Sequence, residues 1–264
     1  MQRHALISAA ALTAGAAALV AAGFAIWRRF FAGTFLRFDT MFGKTRVYQV
    51  SDDAGRSVRL LEVGGIVQSG TYVDDGYTEL VFEYLKRYDT MFEAERSIER
   101  VCVLGCGGYD YPEHLIAHHP EVMVDAVEID PAITAIARRY FFLDRLIEEY
   151  KTEETGRLNL ICADALDHLQ QPGPSYDAIV NDVFDAGSPP SHLTTEEFIR
   201  AVHARLRPDG LYLTNIVSPL EGPEARFLHE QVALLESVFD RVDIIPCAAD
   251  EFAEADNVIV MARA

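Results

Sequence analysis

Short apolar runs alternate with amphipathic segments after residue 97, and this alternation constrains the fold more than any other feature of the chain. The apolar runs occupy residues 101–104, 122–127, 158–162, 176–180 and 211–217. Helical patterns lie between them, at residues 114–117, 132–142, 166–170 and 196–206. Strands that alternate with helices in this way run parallel and are joined by right-handed crossovers. The sequence therefore predicts an α/β fold, a doubly wound sheet with helices on both faces.

The segments before this repeat predict smaller units. Residues 44–73 carry two alternating runs around a turn at residues 52–56, which is typical of a β-hairpin. Residues 77–86 place their apolar side chains on one stripe and predict a helix. We therefore expect three units. They are an N-terminal transmembrane helix (1–30), a small β-hairpin appendage (36–76) and the α/β domain (77–264).

Residues 5–27 contain no charged side chain. As a helix they would measure about 34 Å, enough to cross a hydrocarbon core of about 30 Å. A cleaved signal peptide is the alternative, but the apolar run exceeds the usual length of about 7–15 residues. Arg28, Arg29 and Arg37 follow the run and only Arg3 precedes it, which places the globular part in the cytoplasm. We expect a single-pass protein of the cell membrane with a cytoplasmic domain.

The charge balance limits the partners that the chain can bind. Asp and Glu number 41 against 23 Lys and Arg, for a formal net charge of -18. No basic patch is available to hold phosphate backbones, so we expect no nucleic acid partner. A cationic small molecule suits this charge, although most of it is typical of an acidic, soluble surface. The four cysteines form no CxxC pair and no histidine lies at metal-ligand spacing from them, so no metal site is expected.

The ligand of a doubly wound sheet binds beyond the carboxyl ends of its strands, so the residues that end each apolar run are the candidate site. A glycine turn follows the first run and acidic residues follow the next three. In chain order the candidates are Gly105, Gly107 and Gly108, then Glu128, then Asp164, and finally Asp182 and Asp185.

Each of these residue types has a specific use in nucleoside binding. Glycines permit a sharp turn and a close approach of ligand to backbone. A carboxylate at Glu128 can accept both hydroxyl hydrogens of a ribose. Asp164 can accept from an adenine amino group or cap the helix that follows it. A nicotinamide dinucleotide is the competing ligand, but residues 105–110 lack the third glycine of that fingerprint.

Together with Gln68, Tyr77 and Glu79 upstream, these residues resemble the spermidine synthase family of polyamine aminopropyltransferases. The resemblance implies a class I methyltransferase-like fold with a mostly parallel seven-stranded sheet. It also implies that decarboxylated S-adenosylmethionine is the co-substrate, that a polyamine such as putrescine is the acceptor, and that no cofactor is bound permanently. Family members often pair through the β appendage, so a homodimer is expected by analogy.

The resemblance also implies roles for single residues. Asp182 is expected to be the catalytic acid of the Asp182-Val-Phe-Asp185 segment. Glu128 is expected to hold the ribose and Asp164 the adenine, beside the glycine loop. The substrate contacts implied are Gln68, Tyr77, Glu79 and Asp185.

One departure from the family leaves the donor open. The family's loop usually carries an acid where this chain has Gly108, and the nearest acid, Asp110, lies two residues on. Two alternatives to aminopropyl transfer therefore remain. One is a methyltransferase that uses S-adenosylmethionine, and the other is a membrane-tethered nucleoside-binding protein without turnover.

Overall fold

The computed structural model describes residues 36–93, 97–185, 188–247 and 257–264. The expected anchor, residues 1–30, lies outside these ranges. No helix within them is long and apolar enough to cross a membrane.

A seven-stranded sheet forms the centre of the α/β domain, as predicted. Its strands lie in the order β10-β11-β9-β8-β5-β6-β7. Neighbouring strands from β9 to β7 run parallel, and β11 is antiparallel to both of its neighbours. The chain leaves β5 for β6 on one side and later returns to β8 on the other, which creates a crevice beyond the carboxyl end of β5. The strands are β5 Arg100–Leu104, β6 Met123–Glu128, β7 Leu158–Cys162, β8 Tyr176–Asn181, β9 Leu206–Val217, β10 Arg241–Pro246 and β11 Asn257–Arg263.

Helices connect these strands and cover both faces of the sheet. The four helical segments predicted between the apolar runs all form, with small shifts at their ends. The α-helices of the described ranges are α1 Glu83–Arg87, α2 Asp110–His118, α3 Pro131–Tyr140, α4 Leu143–Glu149, α5 Thr152–Thr155, α6 Ala165–Gln170, α7 Glu196–Arg205 and α8 Arg226–Glu236. Short 3-10 helices span Tyr88–Phe92, Ser191–Thr194 and Pro223–Ala225.

The N-terminal unit is larger than the predicted hairpin. It is a four-stranded antiparallel sheet of consecutive strands, β1 Leu36–Thr40, β2 Gly43–Ser51, β3 Ser57–Val63 and β4 Ile66–Tyr72. A second tight turn separates β3 from β4 because Gly64 and Gly65 take positive φ angles of 62° and 94°. The sheet packs its buried residues, such as Leu60 and Leu61, into the same core as Val101 and Val103 of β5. The two sheets therefore share one hydrophobic core.

The helix predicted over residues 77–86 was wrong in its first half. Helix α1 begins only at Glu83, and the residues before it form turns. Tyr77, Leu80, Val81 and Phe82 are all buried, so the apolar stripe is a compact turn packed on several sides. This segment connects β4 to α1 and brings α1 against the end of the central sheet.

Candidate functional site

The glycine loop after β5 has a backbone that only glycine accepts easily. Gly105 has φ 77° and Gly107 has φ 49°. A Cβ on Gly105 would lie 2.6 Å from the carbonyl oxygen of Asp182, and a Cβ on Gly107 would lie 2.5 Å from the Ser69 hydroxyl. The loop thus packs directly against the end of β8 on one side and against β4 on the other.

The carboxylate of Glu128 holds this loop in place from the end of β6. Its Oε2 accepts hydrogen bonds from the amides of Cys106 (3.1 Å) and Gly107 (3.3 Å). Its Oε1 accepts from the amide of Asp130 at 2.9 Å. Burial raises the pKa of Glu128, and these three amide hydrogen bonds oppose the shift. Glu128 therefore couples the ends of two adjacent strands.

A cavity of about 370 Å³ opens beside this loop. Most of the predicted site residues line it, which brings together side chains and backbone from four strand ends and from the N-terminal sheet. The predicted residues in its wall are Gln68, Gly105, Gly107, Glu128, Asp164, Asp182 and Asp185.

Asp164 both caps a helix and faces the cavity. Its Oδ1 accepts from the Leu166 amide at 2.9 Å, which is the capping role considered from the sequence. Its Oδ2 lies 2.9 Å from Nε2 of His192, another residue of the cavity wall. Burial alone would raise the pKa of Asp164, but the His192 and backbone hydrogen bonds outweigh it and lower that pKa. The two sequence interpretations of Asp164 are thus compatible.

Asp182 follows β8 and is a partly buried acid of the cavity wall. Tyr84 of α1 donates its hydroxyl to Oδ2 at 3.0 Å, and the Asn215 side-chain amide donates to Oδ1 at 3.1 Å. Burial raises the pKa of Asp182 to about 6, although both hydrogen bonds favour the charged form. A carboxyl group with this pKa is ionised at neutral pH and remains able to accept a proton.

Three predicted residues lie outside the cavity wall. The Tyr77 hydroxyl donates to Glu149 at 3.0 Å, and Glu79 is half exposed and pairs with Arg56 at 2.8 Å. Gly108 contributes only its amide, which donates to the Ser69 hydroxyl at 2.6 Å. The structure therefore does not bring Tyr77, Glu79 or Gly108 to the acids at the strand ends.

Asp110, partly buried, and Glu113, fully buried, lie on the first turn of α2 and were not among the predicted site residues. Asp110 Oδ2 accepts from the Gly70 amide at 2.9 Å, whereas Asp110 Oδ1 and Glu113 Oε1 have no hydrogen-bond partner. Burial raises the pKa of Asp110 to about 7, with a further contribution from the charge of Asp182. Burial also raises the pKa of Glu113 well above its usual value, and the Asp110 charge adds to this. The sequence signal was the acid two residues beyond the glycine loop.

The turn between β1 and β2 reaches the same cavity. The Met41 amide donates to Asp130 Oδ2 at 2.6 Å, and Phe42 lies in the cavity wall. Asp130 Oδ1 meanwhile caps α3 through the Ala132 amide at 2.8 Å. The N-terminal sheet thus supplies an apolar surface opposite the strand ends.

Asp182 is linked to a series of other polar groups. Asn215, Asp182, Asp110 and Glu113 form a continuous series, in which each group is hydrogen-bonded or electrostatically coupled to the next. Oxygens of Asn215, Asp110 and Glu113 are buried and accept no hydrogen bond. Buried acceptors without partners are costly.

Comparison with known proteins places the chain in a family. The model of the spermine/spermidine synthase domain matches residues 80–249. The chain belongs to this family. The match begins near α1 and covers every strand end that forms the cavity.

The individual proteins that the chain resembles include an aminopropyltransferase, a methyltransferase and a probable spermidine synthase of known structure. A polyamine aminopropyltransferase of Vibrio vulnificus is 29% identical over 158 residues, 59% of this chain and 50% of that protein. A human eEF1A lysine and N-terminal methyltransferase is 28% identical over 127 residues, 44% of this chain and 17% of that protein. The crystal structure of a probable spermidine synthase from Corynebacterium glutamicum has a TM-score of 0.69 at 23% identity, covering 87% of this chain and 80% of that one, which shows a shared fold. The chain spans about half the length of the curated relatives it matches.

Glu128→Gln tests the ribose-binding assignment. A glutamine keeps one oxygen as an acceptor, but its NH2 group would face backbone N–H groups and could not accept from them. The substitution therefore weakens both the hydrogen bonds that hold the loop and the contact to the ribose. We expect the affinity for methylthioadenosine to fall by about 1.5–3 kcal/mol, the range for hydrogen bonds to a charged group, in a calorimetric titration. The control is Glu230→Gln, on the exposed face of α8, which should bind like the wild type. Equal affinities of the Glu128 variant and the wild type would remove Glu128 from the site.

Proposed function

We propose that the chain is an aminopropyltransferase that moves an aminopropyl group from decarboxylated S-adenosylmethionine to a polyamine such as putrescine. The observation that carries this proposal is the Asp182 carboxylate in the cavity wall, whose pKa burial raises to about 6. The family match and the aminopropyltransferase relatives support the same reaction class.

The chemistry needs a proton acceptor because the nucleophile is an amine. An alkylamine has a pKa near 10, like a lysine side chain, and is mostly charged at neutral pH. Asp182 accepts the proton, the freed nitrogen attacks the aminopropyl carbon beside the sulfonium, and the carbon–sulfur bond breaks to release methylthioadenosine. The sulfonium is a good leaving group, so the protein mainly aligns the two substrates.

The other residues of the cavity wall hold the substrates. Glu128 binds the ribose of the donor and Asp164 its adenine, with Phe42 against the nucleoside. Gln68 and Asp185 line the same wall and are our candidates for contacts to the amine.

Asp110 is our candidate for the acid that holds the donor's ammonium. It lies behind the glycine loop, and a Cβ on Gly108 would come within 2.8 Å of its free Oδ1. An acidic side chain at position 108 would collide with Asp110. Asp110, on α2, therefore takes the place of the acid that the family's loop usually carries. A donor that kept its carboxylate would add a negative charge beside Asp110, Glu113 and Asp182, which favours the decarboxylated form.

A methyltransferase that uses S-adenosylmethionine is the second candidate. The match to the human eEF1A methyltransferase and the absence of an acid at Gly108 favour it. The two activities release different products, methylthioadenosine and S-adenosylhomocysteine, so one chromatographic assay with both donors separates them. Release of S-adenosylhomocysteine alone would replace our main proposal, and tight nucleoside binding with neither product would favour a non-catalytic binding protein.

Asp182→Asn tests the proton acceptor. We expect kcat with decarboxylated donor and putrescine to fall by about two to four orders of magnitude, the usual contribution of a general base. The wild-type kcat should rise as the pH increases through about 6, because only ionised Asp182 accepts a proton, and the variant should lose this rise. Asp167→Asn, at an exposed position of α6, is the matched control. An unchanged kcat in the Asp182 variant would exclude Asp182 as the base.

Asp110→Asn tests the donor contact separately. We expect the KM for the decarboxylated donor to rise at least about tenfold, because a charged hydrogen bond of roughly 1.5–3 kcal/mol is lost. The wild-type KM should fall as the pH increases through about 7, where Asp110 becomes charged, and the variant should show a flat profile. Methylthioadenosine lacks the aminopropyl group, so its affinity should not change and serves as the folding control. A variant with the wild-type KM and pH profile contradicts the assignment.

We also propose that residues 1–30 anchor the chain in the cell membrane with the domain in the cytoplasm, on the uncharged run of residues 5–27. The full chain should sediment with membranes, and a chain starting at residue 31 should remain in the supernatant with the same fold by circular dichroism. Recovery of both chains in the supernatant, or a mature N-terminus near residue 22, would contradict the anchor. The homodimer expected from the resemblance likewise stays a proposal.

A further inference from the structure

A second cluster of ligating side chains lies at the far end of α2 from the substrate cavity. Asp89 of the 3-10 helix Tyr88–Phe92 faces His114 of α2 and His119, which caps the end of α2. One ligand atom from each of these three residues lies within 4.8 Å of the other two. His114 lies one helical turn, about 6 Å along the axis, beyond Asp110, and none of the three residues lines the substrate cavity.

Both ring nitrogens of His114 lie beside oxygen atoms that can only accept hydrogen bonds when Asp89 is ionised. Its Nδ1 lies 3.2 Å from the carbonyl oxygen of Thr78, which can only accept, so Nδ1 carries the hydrogen. In the neutral ring Nε2 is then a bare acceptor, and it lies 2.9 Å from another acceptor, Oδ2 of Asp89. A cation between the two would remove this conflict. A proton would satisfy only this pair, whereas a metal ion would also use the ring of His119.

The surroundings of the cluster orient its members as outer-shell groups do in metal sites. The Thr78 carbonyl fixes the tautomer of His114, and the Tyr111 hydroxyl donates to Oδ1 of Asp89 at 3.1 Å. The His119 ring is stacked on Phe92, with centroids 3.7 Å apart and planes 8° apart. All three candidate ligands are partly buried.

We propose that Asp89, His114 and His119 form a binding site for Zn²⁺. Two imidazoles and one carboxylate match the ligand preference of zinc, whereas Mg²⁺ and Ca²⁺ prefer oxygen ligands. Ligand bonds of about 2.0–2.2 Å in a tetrahedron place ligand atoms roughly 3.3 Å apart. The three candidate atoms lie within 4.8 Å of one another, so small side-chain movements would bring them to this separation. The sequence analysis expected no metal site, because it considered only the spacing around the cysteines, whereas these three ligands come from two segments and none is a cysteine.

Zinc at this position would hold in place α1 and the 3-10 helix after it, the segment that contacts Asp182. Asp89 lies on the 3-10 helix that continues directly from α1, and Tyr84 of α1 donates to Asp182. A metal bond from Asp89 to α2 therefore fixes that segment against the helix that carries Asp110. With three protein ligands, the fourth position of the tetrahedron is left to water. The proposal does not depend on which transfer reaction the chain catalyses.

The test is a zinc titration of the full chain, purified in detergent and stripped of metal with a chelator. Calorimetry should show one tight site for Zn²⁺ and none for Mg²⁺, and Zn²⁺ should raise Tm. His114→Ala and His119→Ala should each weaken Zn²⁺ binding at least about tenfold. Cobalt in place of zinc should give a visible absorption band that both variants lose.

Two further variants separate ligation from folding. His119→Cys replaces one zinc ligand by another and should keep most of the affinity. His229→Ala removes an exposed histidine of α8 and should bind Zn²⁺ like the wild type. Zinc affinity that is absent in the wild type, or unchanged in both the His114 and His119 alanine variants, overturns the proposal.

Discussion

The contact between Glu128 and the glycine loop is the interaction on which the rest of the site depends. Parallel strands bring their carboxyl ends to one edge, but they do not by themselves fix the loops that follow. Glu128 accepts hydrogen bonds from backbone amides of the loop after β5 and of the chain after its own strand. The loop in turn packs against the Asp182 carbonyl and the Ser69 hydroxyl, so one buried carboxylate sets the relative positions of three strand ends and the N-terminal sheet.

The inner end of the site adds a second constraint, which is electrostatic. The charge of Asp182 raises the pKa of Asp110, and the charge of Asp110 raises the pKa of Glu113, in addition to the effect of burial. Such a group is unfavourable in isolation and favourable around a cation. A positively charged ligand beside Asp182 is therefore favoured over a negatively charged one. A chain with a net charge of -18 also attracts cations at longer range.

The strand ends were predictable from the sequence because each depends on local information. A residue one or two positions after an apolar run falls at the edge of the sheet, and this rule placed Gly105, Glu128, Asp164 and Asp182 there. The positions of Tyr77 and Glu79 depend on distant partners, Glu149 and Arg56, and no local pattern reports those contacts. For the same reason, the helix predicted over residues 77–86 began too early and the predicted hairpin was smaller than the N-terminal sheet. Asp110 was visible as an acid, but its burial follows from how α2 packs under β4.

The attachment of the N-terminal sheet to the cavity has a consequence for sequence variation. Met41 contributes only its amide to Asp130, and its own side chain is 62% exposed. Position 41 is therefore free to vary among all residues that have a backbone N–H, and proline alone is disfavoured. Asp130 has no such freedom, because one of its oxygens caps α3 and the other holds the turn. Homologues should accordingly vary at position 41 and keep aspartate at position 130, even though one hydrogen bond joins the two residues.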